Sequence, residues 1–314
     1  FPTRRVAGGY ILKHDFLKGG KHQEAMSTQA KTAVRSAVSE PVSAGAEKID
    51  WAVMAKRCLA EMLGTAVLVT VGCGAAMGLS IGDNGNYIGL AVGTAFAFGL
   101  VVTALSYALG DFSGCHVNPA VTLAMFLDRR IHFKQFVVYI ASQVLGGILG
   151  AAVLLGIFGH GNETLPVVST LASNEVNVGI LSQSWGANVF ATASGYPSVA
   201  GIFIGLGSEV FFAFVFVFTI LCTARDKAYT GISGIALGLS LTAIVLLGFN
   251  ITGTGVNPAR SLGTAIIAAA NGQYEPLREV WIFVVGPCLG AALGTFAYQA
   301  IWHEKGAHVK PAAK

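Results

Sequence analysis

Two copies of the tripeptide Asn-Pro-Ala carry the most specific chemistry in this sequence. They are Asn118-Pro119-Ala120 and Asn257-Pro258-Ala259. Asparagine is a favoured N-cap, and proline is favoured at the first helical position because its missing N–H costs nothing there. Each copy therefore predicts the start of a helix whose Asn side-chain oxygen accepts from backbone N–H groups. We expect the NH2 group of each Asn to be left free to donate into a lumen.

Each tripeptide opens an apolar stretch that is too short to cross a membrane. The two stretches are Val117–Leu127 and Val256–Ala270. At about 1.5 Å per residue, each covers about half of a hydrocarbon core that is about 30 Å thick. We therefore predict two re-entrant helices that enter from opposite sides. If their N-termini meet, roughly half a positive charge on each would repel cations, including protons, from the meeting point.

The composition requires a membrane around most of the chain. Hydrophobic residues make up 54% of the 314 residues and charged residues only 11%, whereas a soluble domain carries about 25% charged residues. Six apolar runs approach the roughly 20 residues that a helix needs to span a bilayer. The runs cover residues 57–78, 87–109, 134–159, 200–223, 231–249 and 279–302.

Several other classes of protein fit the composition poorly. The net charge of +4 comes from short clusters rather than from a continuous basic face, which argues against nucleic acid as a partner. The five cysteines are odd in number and form no CxxC pair, so neither a disulfide framework nor a metal site is expected. We recognise no nucleophile–base pair, and we predict neither an enzyme nor a cofactor.

The positions of Lys and Arg predict which loops face the cytosol. Arg129 and Arg130 follow the first short helix, and Arg225 and Lys227 follow the fourth span, whereas residues 160–199 contain no Lys or Arg. Both termini are therefore expected in the cytosol, and we place the protein in the plasma membrane.

An internal repeat relates the two halves of the chain. The stretch GLVVTALSYALGDFSGCHVNPA begins at Gly99 and matches, without a gap, GLSLTAIVLLGFNITGTGVNPA, which begins at Gly238. Glu61 in the first span has a counterpart in Glu209 of the fourth. Because each half has three spans, the halves must lie in the membrane in opposite orientations. Inverted repeats of this kind place the substrate path at the repeat interface.

Three charged residues lie in apolar segments, where charges are costly and mark functional candidates. Arg260 directly follows the second tripeptide, and its alternative role is a structural partner for a nearby carbonyl. Glu61 and Glu209 are candidates for a proton relay of the kind that transporters use.

HVNPAVT at 116–122 and GVNPARS at 255–261, together with the six spans and the two Glu residues, resemble the aquaporin family over about residues 57–303. The resemblance implies an all-α membrane protein, a right-handed bundle of six helices plus two half-helices. It also implies a homotetramer with one water pore per subunit. The chain then divides into a cytosolic, largely disordered tail (1–55), a channel domain (56–303) and a cytosolic C-terminal tail (304–314). The halves, about 57–160 and 200–303, are joined by an outer loop (160–199).

The resemblance also assigns roles to individual residues. It places the outer constriction at Phe98, Val245, Thr254 and Arg260. The second of these is usually His in water-selective members, so the Val puts strict water selectivity in question. The other implied residues brace the re-entrant loops and are Glu61, Glu209, His116 and Gln143. A pH gate is the alternative role for His116.

Comparison with the aquaporin subfamilies favours water over glycerol. Aquaglyceroporins carry Asp after the motif Arg, where this chain has Ser261; Ala265 and Phe283 are also of the water type, whereas Val284 is not. Small neutral solutes remain candidate substrates. In many members mercury blocks the pore through a Cys at the position of Thr254, and the repeat makes Cys115 the equivalent candidate here.

Two rival functions belong to other classes. A secondary transporter also uses inverted repeats and broken helices, but it would need a coupling-ion site. A structural junction protein of the same fold would stack membranes with negligible permeability. Asn162-Glu163-Thr164 forms a glycosylation sequon in the outer loop.

Overall fold

The computed structural model describes residues 49–81, 87–159, 172–175, 197–225 and 231–302. Residues 1–48 of the predicted N-terminal tail, the C-terminal tail, the sequon and most of the outer loop fall outside these ranges. Residues 51–55, which were predicted as tail, belong to the first helix. Nine helices make up nearly all of the described chain. In order they are α1 (Trp51–Ser80), α2 (Tyr87–Ser113), α3 (Pro119–Leu127), α4 (Phe133–Phe158), α5 (Val199–Thr223), α6 (Ser233–Thr252), α7 (Pro258–Ala270), α8 (Glu275–Glu279) and α9 (Ile282–Trp302).

The six predicted spans are present as helices. In the described chain, six helical segments are long and apolar enough to cross a membrane. The first, α1, begins six residues before the predicted start at 57, because Asp50 caps it. The Asp50 carboxylate accepts from the N–H groups of Ala52 at 2.9 Å and Val53 at 3.2 Å. The short helix α8 was not predicted; it leads directly into the last span.

The helices pack in two equivalent sets, as the inverted repeat predicts. In the first half α1 packs against α2 and α4, and in the second half α5 packs against α6 and α9. The short helix of each half packs against the last span of the other half, α3 on α9 and α7 on α4. The half-helices therefore tie the two repeats together.

A close crossing of α2 and α6 joins the repeats at the positions where their matching sequences begin. A Cβ atom built on Gly99 would lie 2.6 Å from the Gly238 carbonyl oxygen, and one on Gly238 would lie equally close to the Gly99 oxygen. Only glycine permits backbones to approach this closely in a membrane. The Thr103 hydroxyl also donates across the crossing to the Gly234 carbonyl at 3.2 Å.

Candidate functional site

The two Asn-Pro-Ala tripeptides begin α3 and α7, as predicted. The Asn118 side-chain oxygen accepts from the Ala120 N–H at 2.8 Å. The Asn257 oxygen accepts from the N–H groups of Ala259 at 3.1 Å and Arg260 at 3.3 Å. Both Asn side chains are buried, so these bonds satisfy N–H groups that lie away from bulk water.

The NH2 groups of the two Asn side chains are not wholly free, which corrects the sequence-based expectation. Asn118 Nδ2 donates to the Val256 carbonyl at 2.9 Å, and Asn257 Nδ2 donates to the Val117 carbonyl at 2.8 Å. Each bond crosses from one repeat to the other, because each Asn reaches the loop that precedes the other tripeptide. An amide NH2 has two hydrogens, so each Asn keeps one N–H after this crossing bond.

The loops that precede the tripeptides hold an unusual backbone. Cys115 and Val117 have φ values of 48° and 43°, and Thr254 and Val256 have 51° and 44°. Residues with a Cβ rarely adopt this left-handed region, and branched side chains do so least readily. The same alternation occurs in both loops at the repeat offset, so the two loops have one shared conformation that the surrounding bonds must hold.

Buried carboxylates supply those bonds. The Glu61 carboxylate accepts from the N–H groups of His116 at 3.0 Å and Val117 at 2.6 Å, from the Ser113 hydroxyl at 2.7 Å and from Gln143 Nε2 at 2.8 Å. Its side chain is fully buried. Burying a carboxylate is unfavourable unless charge-assisted hydrogen bonds offset the cost, and here four donors surround it.

Glu209 has the same role in the second half. It accepts from the N–H groups of Gly255 at 2.8 Å and Val256 at 2.7 Å. The Thr252 hydroxyl also donates to it, at 2.7 Å. Sequence reasoning missed Thr252 and its counterpart Ser113, although the two hydroxyl residues stand at the same offset as the two tripeptides.

These bonds fix the direction of the loop carbonyls. In a trans peptide the C=O points opposite to the N–H of the next residue. Because the His116 and Val117 N–H groups point at Glu61, the carbonyls of Cys115 and His116 point away from it. The same geometry at Glu209 turns the Thr254 and Gly255 carbonyls away from that carboxylate. Each loop therefore presents acceptors on the side opposite its Glu.

His116 and Gln143 lie beside the first loop. His116 Nδ1 is 3.2 Å from the Thr122 hydroxyl oxygen, and its ring meets the Tyr139 ring edge-on at 5.4 Å. Gln143 Nε2 also donates to the Thr122 hydroxyl at 2.9 Å. The second repeat has Pro287 near the position of Gln143, so this bracing belongs to one half alone.

The Arg260 guanidinium is held by a segment of the outer loop. Its Nη1 donates to the Asn174 side-chain oxygen, and its Nη2 donates to the Ala172 carbonyl at 2.8 Å. Its Cζ lies 5.7 Å from the centre of the Phe98 ring. The Nε–H is buried and has no hydrogen-bond partner within the described chain. A guanidinium has five N–H donors, so one hydrogen on each of Nη1 and Nη2 also remains beyond the two bonds given above.

Asn174 is the site residue that the sequence did not reveal. It is only 2% exposed, and besides Arg260 its oxygen accepts from the Ser261 hydroxyl at 2.7 Å. Its Nδ2 donates to the Thr252 carbonyl at 3.1 Å. The residue thus links the outer loop to the end of α6 and the start of α7. No sequence signal identifies it, because the outer loop lies outside the repeat.

The hydroxyl of Ser261 makes a hydrogen bond that an Asp at the same position could not make. This hydroxyl donates to the oxygen that Arg260 also uses, whereas an Asp at this position has no hydrogen to donate at neutral pH. Of the other positions used to judge solute type, Ala265 and Phe283 are buried and Val284 is half-buried.

Glu175 is a titratable residue within the described loop segment 172–175. Its Oε1 is buried without a hydrogen-bond partner in the described part of the chain. Burial, together with the neighbouring carboxylates of Glu279 and Glu275, raises its pKa from 4.5 to about 7. The net charge of the segment 172–175 therefore changes near neutral pH.

One cavity is lined by residues from both halves of the chain. All four predicted constriction residues and both Asn residues line it, and so does His116. The candidate mercury residue Cys115 is not among its lining residues. The lining consists of Leu68, Phe98, Val102, His116, Val117, Asn118, Phe216, Leu241, Val245, Thr254, Gly255, Val256, Asn257 and Arg260. Polar groups come from the two loops and the helix starts, and apolar side chains come from the spans.

Among the residues that the structure describes, no group of three or more His, Cys, Asp or Glu side chains is placed to hold a metal ion. The cysteines in those ranges are free thiols.

The fold and the site together define a six-span integral membrane protein in which two half-helices meet at a cavity between inverted repeats. The family model for the major intrinsic proteins matches residues 48–298. The chain belongs to the major intrinsic protein family, which confirms the resemblance drawn from the tripeptides.

Relatives named aquaporin Z are similar over most of the chain. The one from Rhodopseudomonas palustris is 37% identical over 243 residues, covering 77% of this chain and 92% of that protein. The one from Bradyrhizobium diazoefficiens is 35% identical over 249 residues, covering 79% and 94%. Among solved structures, the aquaglyceroporin from Plasmodium falciparum has the same fold, with a TM-score of 0.64 at 20% identity over 79% of this chain and 96% of that one.

Proposed function

We propose that this protein is a passive water channel that excludes ions and protons and also passes small neutral solutes. The observation that carries the proposal is the cavity, because it joins both Asn caps, both re-entrant loops and Arg260 along one path. The relatives named aquaporin Z support the same function.

Water can exchange its hydrogen bonds along one wall of this cavity. The loop carbonyls that point away from Glu61 and Glu209 offer acceptors, and the Asn N–H groups and the remaining N–H groups of the Arg260 guanidinium offer donors. The spans supply apolar side chains such as Leu68, Phe216 and Leu241. A narrow path with few polar partners holds water weakly enough for it to move on, because conduction needs binding that is not too strong.

Proton exclusion follows from the meeting of the two half-helices. Each helix N-terminus carries roughly half a positive charge, and the second N–H of each Asn can donate to a water oxygen at that level. A water held by its oxygen from two sides turns its hydrogens away and cannot accept a proton from a neighbour. Positive helix ends also raise the barrier for any cation.

We assign the outer constriction to Phe98, Val245, Thr254 and Arg260. All four line the cavity, and Arg260 is held at the cavity wall by Ala172 and Asn174. A wider role in passing small neutral solutes is supported by Val245, whose side chain offers no hydrogen-bonding group and is smaller than His.

Glu61 and Glu209 serve as loop anchors in this proposal rather than as a proton relay. Their carboxylates accept four and three hydrogen bonds respectively from nearby groups. Neither residue is among those that line the cavity. A relay would need a carboxylate that meets the path and can exchange protons with it.

The assembly and placement are also proposals. We place the protein in the plasma membrane with both termini in the cytosol. The distribution of Lys and Arg supports this orientation. The segment 172–175 would then lie on the outer side together with Arg260. We infer a homotetramer from the family. Chemical cross-linking in the membrane should then give bands for the monomer, dimer, trimer and tetramer and none larger.

The function is tested with the purified protein in lipid vesicles. The channel should accelerate osmotic shrinkage well above empty vesicles, while a pH-sensitive dye inside the vesicles reports no added proton leak. A secondary transporter would instead show counterflow driven by an ion gradient, and a junction protein would cluster vesicles without raising their permeability. Either of those results would overturn the proposal.

A further inference from the structure

The Phe98 ring rests in a gap that a glycine leaves on a neighbouring helix. A Cβ atom built on Gly72 of α1 would lie 2.5 Å from both Cδ1 and Cζ of the Phe98 ring and closer still to Cε1. Real Cβ atoms essentially never come within 3.0 Å of another heavy atom. The ring therefore occupies space that any other residue at 72 would fill.

This gap lies on the side of α1 that faces the pore. Leu68, four residues earlier and so on the same helical face, lines the cavity. Gly72 lies one turn further along that face, and there the cavity wall is formed by Phe98 instead. The Arg260 Cζ lies 5.7 Å from the centre of the same ring. Phe98 thus adjoins both the gap at Gly72 and the guanidinium.

We propose that Gly72 is a specificity-determining position, because its missing side chain lets Phe98 recede from the lumen and so sets the width of the outer constriction. The proposal rests on the proposed function, in which Phe98 forms one wall of that constriction. Gly72 acts through Phe98 and touches no permeating molecule itself. It works together with Val245, whose small side chain widens the constriction at another point.

A methyl group at 72 has one main way to be accommodated. The α1 backbone behind it is a regular, packed helix, whereas the Phe98 side chain turns about two torsions and borders empty space. The ring should therefore shift into the cavity by the distance that removes the overlap. Solutes larger than water should be affected most, because they already fill the constriction.

The test uses the full-length protein in vesicles, with water and hydrogen peroxide as probes and flux normalised to folded protein. Gly72→Ala should lower water permeability and should lower hydrogen peroxide flux further, by about fivefold in the ratio to water, which corresponds to about 1 kcal/mol of added barrier. The matched control is Gly78→Ala on the same helix. A Cβ there would lie 4.0 Å from Phe158, which is ordinary contact, so both fluxes should stay at wild-type values.

A rescue variant separates a shift of Phe98 from general damage to the fold. Leu lacks the Cε1 and Cζ atoms that the new methyl group would meet, and its two Cδ atoms can turn away from α1 by a change of rotamer, so adding Phe98→Leu to Gly72→Ala should restore water flux. The double variant should then match Phe98→Leu alone in its ratio of hydrogen peroxide flux to water flux, because the ring that carries the effect is absent from both. This second comparison decides the matter if Gly72→Ala by itself does not fold.

The outcomes distinguish this inference from the proposed function. Wild-type vesicles that shrink no faster than empty ones would overturn the channel function itself. A conducting wild type with an equally conducting and equally selective Gly72→Ala variant would overturn only the role of Gly72. Failure of Phe98→Leu to restore water flux would also overturn it, because the effect would then not run through the ring.

Discussion

Asn174 gives the sharpest prediction about how the constriction is held. Its side chain joins Arg260, Ser261 and Thr252 through three hydrogen bonds, so Asn174→Ala removes all three at once. The bond to Arg260 is charge-assisted, and such bonds contribute about 1.5–3 kcal/mol net, against about 1 kcal/mol for a neutral bond. Arg260 keeps its bond to the Ala172 carbonyl at 2.8 Å.

Loss of these hydrogen bonds should let the guanidinium leave its position on the loop segment. Water in the cavity can replace the neutral hydrogen bonds, so we count only the charge-assisted bond, about 1.5–3 kcal/mol, in the free energy that holds Arg260. At about 1.4 kcal/mol per factor of ten, the ratio of docked to undocked Arg260 should fall by roughly 10–150-fold. The constriction would then open part of the time to neutral solutes that the docked arginine excludes.

The assay compares solute flux, water flux and thermal midpoint for the purified variants. Asn174→Ala should raise flux of neutral solutes such as glycerol or urea and lower the thermal midpoint, while water flux changes little. Asn250→Ala makes the same chemical change at an exposed position on α6 and should leave all three quantities unchanged. An Asn174→Ala protein with wild-type selectivity and thermal midpoint would show that Asn174 does not hold the Arg260 guanidinium in place.

Four further predictions follow from the same site. Arg260→Val should raise passage of larger neutral solutes by removing the guanidinium from the cavity wall, and unchanged selectivity in a folded variant would mean that Arg260 does not define the constriction. Val245→His should reduce flux of ammonia or hydrogen peroxide while water flux largely persists; the position has no such role if wild type already excludes both as strictly. Any block by mercury should act through Cys115 from the cytosolic side, so Cys115→Ser should abolish it, and equal inhibition of that variant would contradict the assignment. The pKa of Glu175 is raised from 4.5 to about 7 in the folded protein, so its ionisation destabilises the fold progressively as pH rises through that interval. Glu175→Gln should therefore raise the thermal midpoint more at pH 8 than at pH 5. An equal shift at both pH values would contradict the raised pKa.

The sequence predicted those parts of the molecule that depend on local patterns or on the repeat. The helix starts at the two tripeptides follow from the capping preference of Asn and the position of Pro. The six spans follow from the length of apolar runs, although α1 begins earlier because Asp50 extends it beyond the apolar run at 57. The equivalence of Glu61 and Glu209 follows from the repeat, which also gives Ser113 and Thr252 once the offset is applied to hydroxyl residues.

The parts that could not be predicted depend on contacts between distant segments. N-cap reasoning considers only the helix that an Asn begins, so it missed the bonds from Asn118 to Val256 and from Asn257 to Val117. Asn174 lies in an outer loop with no counterpart in the repeat, and only the folded chain brings it to Arg260. The support of Phe98 by Gly72 also needs the packing of α1 on α2, which neither residue reveals in the sequence.

The temperature dependence of water flow shows most directly whether water crosses through a pore in this protein. Osmotic shrinkage of vesicles that contain the protein is measured over a range of temperatures, with empty vesicles of the same lipid as the reference. Water that moves in single file along the loop carbonyls meets no large barrier, so we expect fast shrinkage with an activation energy well below that of the bare lipid. An activation energy equal to that of the lipid would contradict it.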